Sequence, residues 1–317
     1  MAKRKIHMPL HVRTPAYCSP ALSRASGRAV WIKLESLQPS GSFKLRGIGF
    51  ACQEHARRGV KRLVSSSGGN AGIAVAYAGR KLDIPVTVVV PETTSQMACR
   101  LISEMDADVL IHGASWQEAN DLALSMQRDG DAFIHPFDDP LVWRGHSTII
   151  DEVVEDGLQP DLVILSVGGG GLMSGVVEGL RRHKLNVPVL AVETIGASSF
   201  AQSVAHRERI VLPAIESIAT SLGARQVSEH ALGLVTDNRI SCAVVSDLQA
   251  VDACLRFMDD HRIVVEPACG ASIATLYQNV AELADHRRIL LIICGGVTST
   301  VEQLNKWHRS LSLTSNA

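Results

Sequence analysis

The sequence predicts an α/β protein of two doubly wound domains with mostly parallel sheets. Three observations carry this expectation. From Lys61 onward, short β-branched runs alternate with helical patterns, each pair joined by a small turn. The runs are continuously apolar, as in parallel strands covered by helices on both faces, rather than alternating as in a sheet with one wet side. The chain has 317 residues, 46% of them hydrophobic, which is enough for two cores.

In order along the chain, "MAKRK" reads as a solvated tail, since "IHMPLHVRTP" follows where an export signal would need an apolar core and a cleavage site. "PSGSFKLRG" is polar and punctuated by glycine, and reads as a turn. "KRLVSS" is a strand and "NAGIAVAYAGRKL" a helix, followed by strand "PVTVVV", helix "SQMACRLISEMDA", strand "DVLIHG", helix "WQEANDLALSMQRDG" and strand "AFIHPF". "HPFDDPLVWRG" is a break, and the stretch from Phe137 to Pro140 reads as the crossing between domains. A second series follows: helix "STIIDEVVEDGL", strand "DLVILSV", a four-glycine loop, helix "MSGVVEGLRRH" and strand "PVLAVET". Residues 197 to 245 show no clear period; helices "DLQAVDACLRFMDDH" and "CGASIATLYQNVAEL" and a last strand "RILLIIC" complete the series. There is no internal repeat and no low-complexity stretch.

Composition excludes several function classes. Lys and Arg total 31 against 32 Asp and Glu, a net charge of −1, so the chain has no bulk attraction for nucleic acid or anionic lipid. "IPVTVVVP" and "RILLIICGGV" fall far short of the roughly 20 apolar residues that cross a bilayer, so no membrane partner is expected. Seven scattered cysteines without a C-x-x-C pair fit reduced thiols and a cytoplasmic location, and most read as core filler.

In doubly wound sheets ligands bind at the C-terminal ends of strands, so the loops after strands are the places to look. "SSSGGNAG", Ser65 to Gly72, lies between a strand and a helix, where backbone N–H groups and a helix N-terminus favour an anion; taken alone it is equally a capped tight turn. "SVGGGGLMSG" places four glycines, 168 to 171, in succession, a costly arrangement that suits a phosphate cradle. It is neither a P-loop nor a G-x-G-x-x-G fingerprint. "IICGGVTST" ends a buried strand at Cys294, which by itself reads as a small buried hydrophobe. Lys44, between Phe43 and Leu45, would by itself be a surface residue. Together, an amine, a glycine cup, an anion-binding loop and a neutral group at a strand end are the parts that hold pyridoxal phosphate through a lysine.

"PSGSFKLRG", "SSSGGNAG", "SVGGGGLMSG", "ETIGASSF", "EPACGA" and "ICGG", in this order, resemble the fold-type II pyridoxal-phosphate enzymes of the tryptophan synthase β family, and within it the L-serine dehydratase and L-threonine deaminase group. The resemblance runs from about residue 10 to about 305. It implies a tryptophan synthase β-like fold with a small domain over 36–138 carrying the lysine and the Asn loop, and a large domain over 1–35 and 139–317 carrying the phosphate cup. It implies that Lys44 forms the Schiff base and removes the substrate α-proton, that Phe43 and Ala219 cover the two ring faces, and that Gly168, Gly169, Gly170 and Gly171 hold the phosphate. Asn70 would meet the ring 3-oxygen, Ser67, Gly68, Gly69, Asn70 and Ala71 would receive the substrate, and Cys294 would face the pyridine nitrogen. Glu193 with the carbonyls of Gly168, Ala197, Leu222 and Ala224 matches a monovalent-cation site, usually potassium. Glu266 lies on a segment near the cofactor with its role open, and a homodimer is the common assembly of such relatives.

The expected reaction is β-elimination: L-serine to pyruvate and ammonia, and L-threonine to 2-oxobutyrate. A neutral thiol at the ring nitrogen makes a weaker electron sink than a carboxylate would permit, which favours rapid elimination over transamination. The cofactor phosphate is a candidate proton donor to the leaving hydroxyl. Racemases of this scaffold use a serine as second base where this chain has Gly68, so racemisation is disfavoured. The Ser-Val-Lys-Asp-Arg and Thr-Ser-Gly-Asn-Thr motifs of cysteine synthases do not occur. A threonine-preferring dehydratase and a non-catalytic cofactor binder are the alternatives.

Overall fold

A computed structural model describes residues 8–314. The strands among them are β1 (Ala16–Cys18), β2 (Ala29–Lys33), β3 (Arg62–Ser65), β4 (Val86–Val90), β5 (Asp108–Ile111), β6 (Asp131–Phe133), β7 (Leu162–Ser166), β8 (Val189–Thr194), β9 (Ile240–Val245) and β10 (Arg288–Ile292). The helices are α1 (Pro20–Ser26), α2 (Lys44–Arg57), α3 (Asn70–Leu82), α4 (Gln96–Ser103), α5 (Trp116–Ser125), α6 (Pro140–Glu155), α7 (Gly171–Arg182), α8 (Ser199–His206), α9 (Glu229–Asp237), α10 (Asp247–His261), α11 (Pro267–Tyr277) and α12 (Val301–Thr314).

The chain divides into two compact units. The first holds Gln38–His146 with the described residues up to Val12; the second holds Arg13–Leu37 and the described residues from Ser147. The division falls inside α6.

The first unit carries a four-stranded parallel sheet in the order β5-β4-β3-β6. Every side chain of β4 is buried, and Val64 and Val89 pack with Ala119 and Ala123 from α5. The second unit carries a six-stranded sheet in the order β1-β2-β10-β7-β8-β9, parallel except where β1 pairs antiparallel with β2. Its central strands β7 and β8 are buried throughout, as apolar parallel strands under helices must be.

Winding direction reverses once in each sheet. From β3 the chain builds outward through β4 and β5, then returns to the other side of β3 with β6. From β7 it builds through β8 and β9, then returns to the other side of β7 with β10. Adjacent parallel strands whose crossovers leave in opposite directions open a crevice at their C-terminal ends. The loops at these points are Ser66–Gly69 after β3, Gly168–Gly170 after β7, and the segment at Cys294 after β10.

Local sequence explains most boundaries. Ser115 and Glu118 form a capping box at α5, as do Ser246 and Gln249 at α10. Two elements depart from the sequence reading. "HPFDDPLVWRG" is not all break: α6 begins at Pro140, and Asp139 accepts the Leu141 amide at 2.7 Å, a cap followed by proline at the first helical position. Residues 44–57, expected to begin as a turn, form the 14-residue helix α2.

Candidate active site

In the first unit, Lys44 is the first residue of α2. Phe43, which precedes it, gives no side-chain cap. The turn is closed instead by the Arg46 amide on the Phe43 carbonyl at 2.9 Å and by the Gly47 amide on His146 Nδ1 at 3.1 Å. Lys44 Nζ donates to the Pro136 carbonyl at 2.6 Å and lies 5.2 Å from the centre of the Phe43 ring. That carbonyl is presented by a tight loop after β6, in which His135 Nδ1 accepts the amides of Phe137 and Asp138 at 3.2 and 2.7 Å. Burial, with Lys44 nearby, pushes the His135 imidazole below its ordinary pKa, consistent with its acceptor role.

The Asn loop leaves the neighbouring strand. The Ile134 amide donates to the Val64 carbonyl at 2.8 Å, so the loops carrying Pro136 and Ser67 emerge side by side at the C-terminal ends of β6 and β3. Ser66 Oγ is tied to Asn120 at 2.8 Å, and Ser67 Oγ accepts the Gly69 amide at 3.4 Å. Asn70 and Ala71 are buried in the first turn of α3, a 13-residue helix whose cap position, Gly69, has no side chain to occupy the first N–H groups. A helix end of this kind accepts a carboxylate. Gly68 faces Thr94: a Cβ there would stand 2.5 Å from Thr94 Oγ1 and 2.6 Å from its Cγ2.

In the second unit, Gly168 to Gly171 run from β7 into α7. Gly170 has φ +93° and is the uncapped N-cap of this 12-residue helix. A Cβ on Gly168 would stand 3.1 Å from Leu222 Cα, and one on Gly170 would collide with Ala231. The glycines are therefore required by close backbone approach, and the amides of the first turn of α7 remain for an anion. Ala219 is buried and its amide donates to Ser217 Oγ at 3.0 Å, while Ser217 donates to Asp247 at 2.6 Å at the start of α10.

Cys294 lies just beyond β10, beside the glycine loop of β7. A thiol hydrogen bond with Cys269, burial, and the nearby carboxylate of Glu266 push its thiol well above its ordinary pKa, so it is neutral. Glu266 accepts the Thr298 hydroxyl and, with Ala219, Ser221 and Trp307, lines a small hollow open to solvent. Glu193, at the end of β8, is fully buried; its two oxygens accept the amides of Phe200 and Ala201 at 2.9 and 2.6 Å, the first turn of α8. Burial raises its pKa to about 7 against the pull of those amides. Leu222 lies against Gly168, and its carbonyl accepts the Ala224 amide at 2.8 Å. Ala197 is buried and its amide donates to the Thr194 carbonyl at 2.9 Å.

The first unit thus gathers Phe43, Lys44 and the Asn loop at one sheet end, and the second gathers the glycine cup, Ala219, Leu222 and Cys294 at another. Taken each by itself, the first unit offers an amine at the start of α2 that suits the aldehyde of pyridoxal phosphate, and the second offers an uncapped helix N-terminus behind glycines and a neutral buried thiol that suit its phosphate and pyridine nitrogen. His135, His146 and Thr94 escaped the sequence reading. For His135 the signal was there, since it directly follows a strand.

Comparison with known proteins agrees with this chemistry. Residues 8–295 match the family described as pyridoxal-phosphate dependent enzyme. The chain is 42% identical to a Homo sapiens L-serine dehydratase/L-threonine deaminase, over 96% of this chain and 97% of that protein. It is 41% identical to a Dictyostelium discoideum L-serine dehydratase, over 95% and 92%. The crystal structure of a fungal L-serine ammonia-lyase from Rhizomucor miehei superposes with a TM-score of 0.90 at 33% identity, over 95% of this chain and 99% of that one.

Proposed function

Because the chain belongs to the pyridoxal-phosphate dependent enzymes, we propose that it is a lyase that dehydrates and deaminates L-serine to pyruvate and ammonia, and L-threonine to 2-oxobutyrate and ammonia. The observation that carries the reading is the neutral Cys294 thiol at the end of β10, together with relatives named for this reaction over nearly the whole chain. When bound, the cofactor supplies an electron sink that acidifies the substrate α-hydrogen, and a neutral partner at its ring nitrogen favours elimination over longer-lived chemistry.

Lys44 would hold the cofactor through its Nζ, and the same amine would take the substrate α-proton. Gly168 to Gly171 and the first turn of α7 hold the phosphate. Phe43 and Ala219 would flank the cofactor ring, and Asn70 would hydrogen-bond its 3-oxygen. Ser67, Gly68, Gly69 and Ala71 hold the substrate carboxylate at the N-terminus of α3. Gly68 offers no second base, which supports elimination over racemisation. Glu193 and the carbonyls of Gly168, Ala197, Leu222 and Ala224 bind a potassium ion, and the enzyme works as a cytoplasmic homodimer. All seven cysteines stand free, which supports a reducing compartment.

The test measures keto acid release from L-serine, L-threonine and D-serine alongside the visible absorbance of the lysine-bound cofactor. Release from both L-amino acids is expected, with Lys44→Ala lowering kcat by about a thousandfold or more. Borohydride reduction should fix the cofactor at Lys44. A coloured protein that yields no keto acid from either L-amino acid sinks the reading.

A further inference from the structure

We propose that His146 is the positioning residue for Lys44: one neutral imidazole takes the amide of Gly47 and supports the ring of Phe43, fixing the helix turn from which the lysine projects. The inference rests on the reading of Lys44 as the cofactor-bearing base.

Four observations support it. The Gly47 amide donates to His146 Nδ1 at 3.1 Å. A ring nitrogen that accepts carries no proton, so the proton is on Nε2 and the ring is neutral. Full burial, with Lys44, Arg46 and His11 contributing positive charge, favours that form. The Phe43 ring lies 4.8 Å from the imidazole, centre to centre, so residues on both sides of Lys44 touch the same group.

Two glycines make room for this contact. A Cβ on Gly47 would stand 2.5 Å from both His146 Cε1 and the Val142 carbonyl oxygen and 2.7 Å from His146 Nε2, and one on Gly145 would run into the backbone of Arg46 and Gly47. Glycine inside a helix costs stability, and Gly47 in α2 is explained by the close approach of α6, whose Val142 carbonyl and His146 imidazole both occupy the space a side chain would take. Finally, His146 Nε2 is buried without a hydrogen-bond partner. A side chain present only to fill space would be apolar; this one keeps an unpaired donor in order to present an acceptor on the other side.

The test compares His146→Leu, which keeps bulk, with His146→Gln, whose Oε1 can accept from Gly47, both in the cofactor-loaded enzyme. For His146→Leu we expect kcat for L-serine to fall about ten- to a hundredfold, as for misplacement of a reacting group, with KM changed less than about threefold and the cofactor Kd raised. His146→Gln should recover most of the loss in both kcat and Kd. Equal behaviour of the two variants, or a change in KM alone, overturns the proposal. Should His146→Leu not fold, nitrogen-15 resonances of the unaltered protein decide the matter: the proton must sit on Nε2 and the Gly47 amide must exchange slowly, and a proton on Nδ1 overturns it. If the unaltered enzyme neither binds cofactor at Lys44 nor releases keto acid, the functional reading fails instead, and the tautomer and amide exchange still decide the His146–Gly47 bond.

Discussion

Gly68 is where packing and reaction choice meet. In the proposed reaction its missing side chain offers no second base, and the space is filled from outside by Thr94, whose Oγ1 would be 2.5 Å from a Cβ at position 68. An alanine there must displace either Thr94 or the loop proposed to hold the substrate carboxylate. Gly68→Ala is expected to lower kcat/KM for L-serine about tenfold or more while leaving the cofactor absorbance unchanged. In Gly68→Ala/Thr94→Ala the nearest Thr94 atom that remains is the Cβ, at 3.1 Å, so much of the activity should return. Steady-state kinetics on the two variants checks this, and a fully active Gly68→Ala would show that Thr94 does not limit the loop. The sequence displayed the glycine but not its partner, because nothing in a linear pattern tells which distant side chain fills the room a glycine leaves.

At the scale of elements, legibility follows how far local chemistry agrees with the fold. Helix α3 was read with its observed bounds because its small apolar residues are helix formers and a glycine pair marks its start. Residues 39–47 were read as a turn because Gly41 and Gly47 punctuate a polar run, yet α2 begins inside them; the reason for Gly47 lies in His146 and the Val142 carbonyl, which tertiary structure brings against it. The 197–245 region was illegible because it holds two short helices, α8 and α9, a brief 3₁₀ turn at Thr220–Leu222 and an edge strand, none long enough to show a period. One contact between elements of the second unit yields a stability prediction. Lys33 of β2 is fully buried and pairs with Glu152 of α6 at 2.5 Å, also donating to the Thr14 carbonyl at 2.6 Å. Removing one partner leaves a buried charge uncompensated, whereas replacing both with apolar residues of similar volume does not. Glu152→Ala should therefore cost about 3–5 kcal/mol in urea unfolding, and Lys33→Met/Glu152→Leu should lie within about 1 kcal/mol of the parent. A double variant as unstable as the single one would show that the pair is needed for more than charge balance.

At the scale of the whole molecule, the reversal of winding in each sheet converts two independent glycine-rich loops into candidate binding ends, and the alternation of strands and helices made that architecture visible before any side chain was placed. The same architecture buries Glu193 at the end of a central strand and gives folding stability a pH dependence. Its carboxyl titrates near pH 7 in the folded protein, raised by burial, against about 4.5 when exposed. A raised carboxyl pKa means that the folded state holds the proton more tightly than the unfolded chain. The stabilisation is complete below about pH 4.5 and is lost as pH rises through 7, an effect on the order of 3 kcal/mol from this group. A potassium ion bound to the carboxylate as proposed would favour the charged form and offset that loss. In buffer free of alkali cations, unfolding free energy should thus decline from pH 5 to pH 8; added potassium should restore it at pH 8 and change little at pH 5. Glu193→Gln keeps the acceptor for one α8 amide but cannot ionise, so it should flatten this part of the profile and abolish the potassium response together. A potassium response that survives in Glu193→Gln would place the cation elsewhere, and a flat profile in the parent protein would show that the carboxylate is stabilised by something other than the ion.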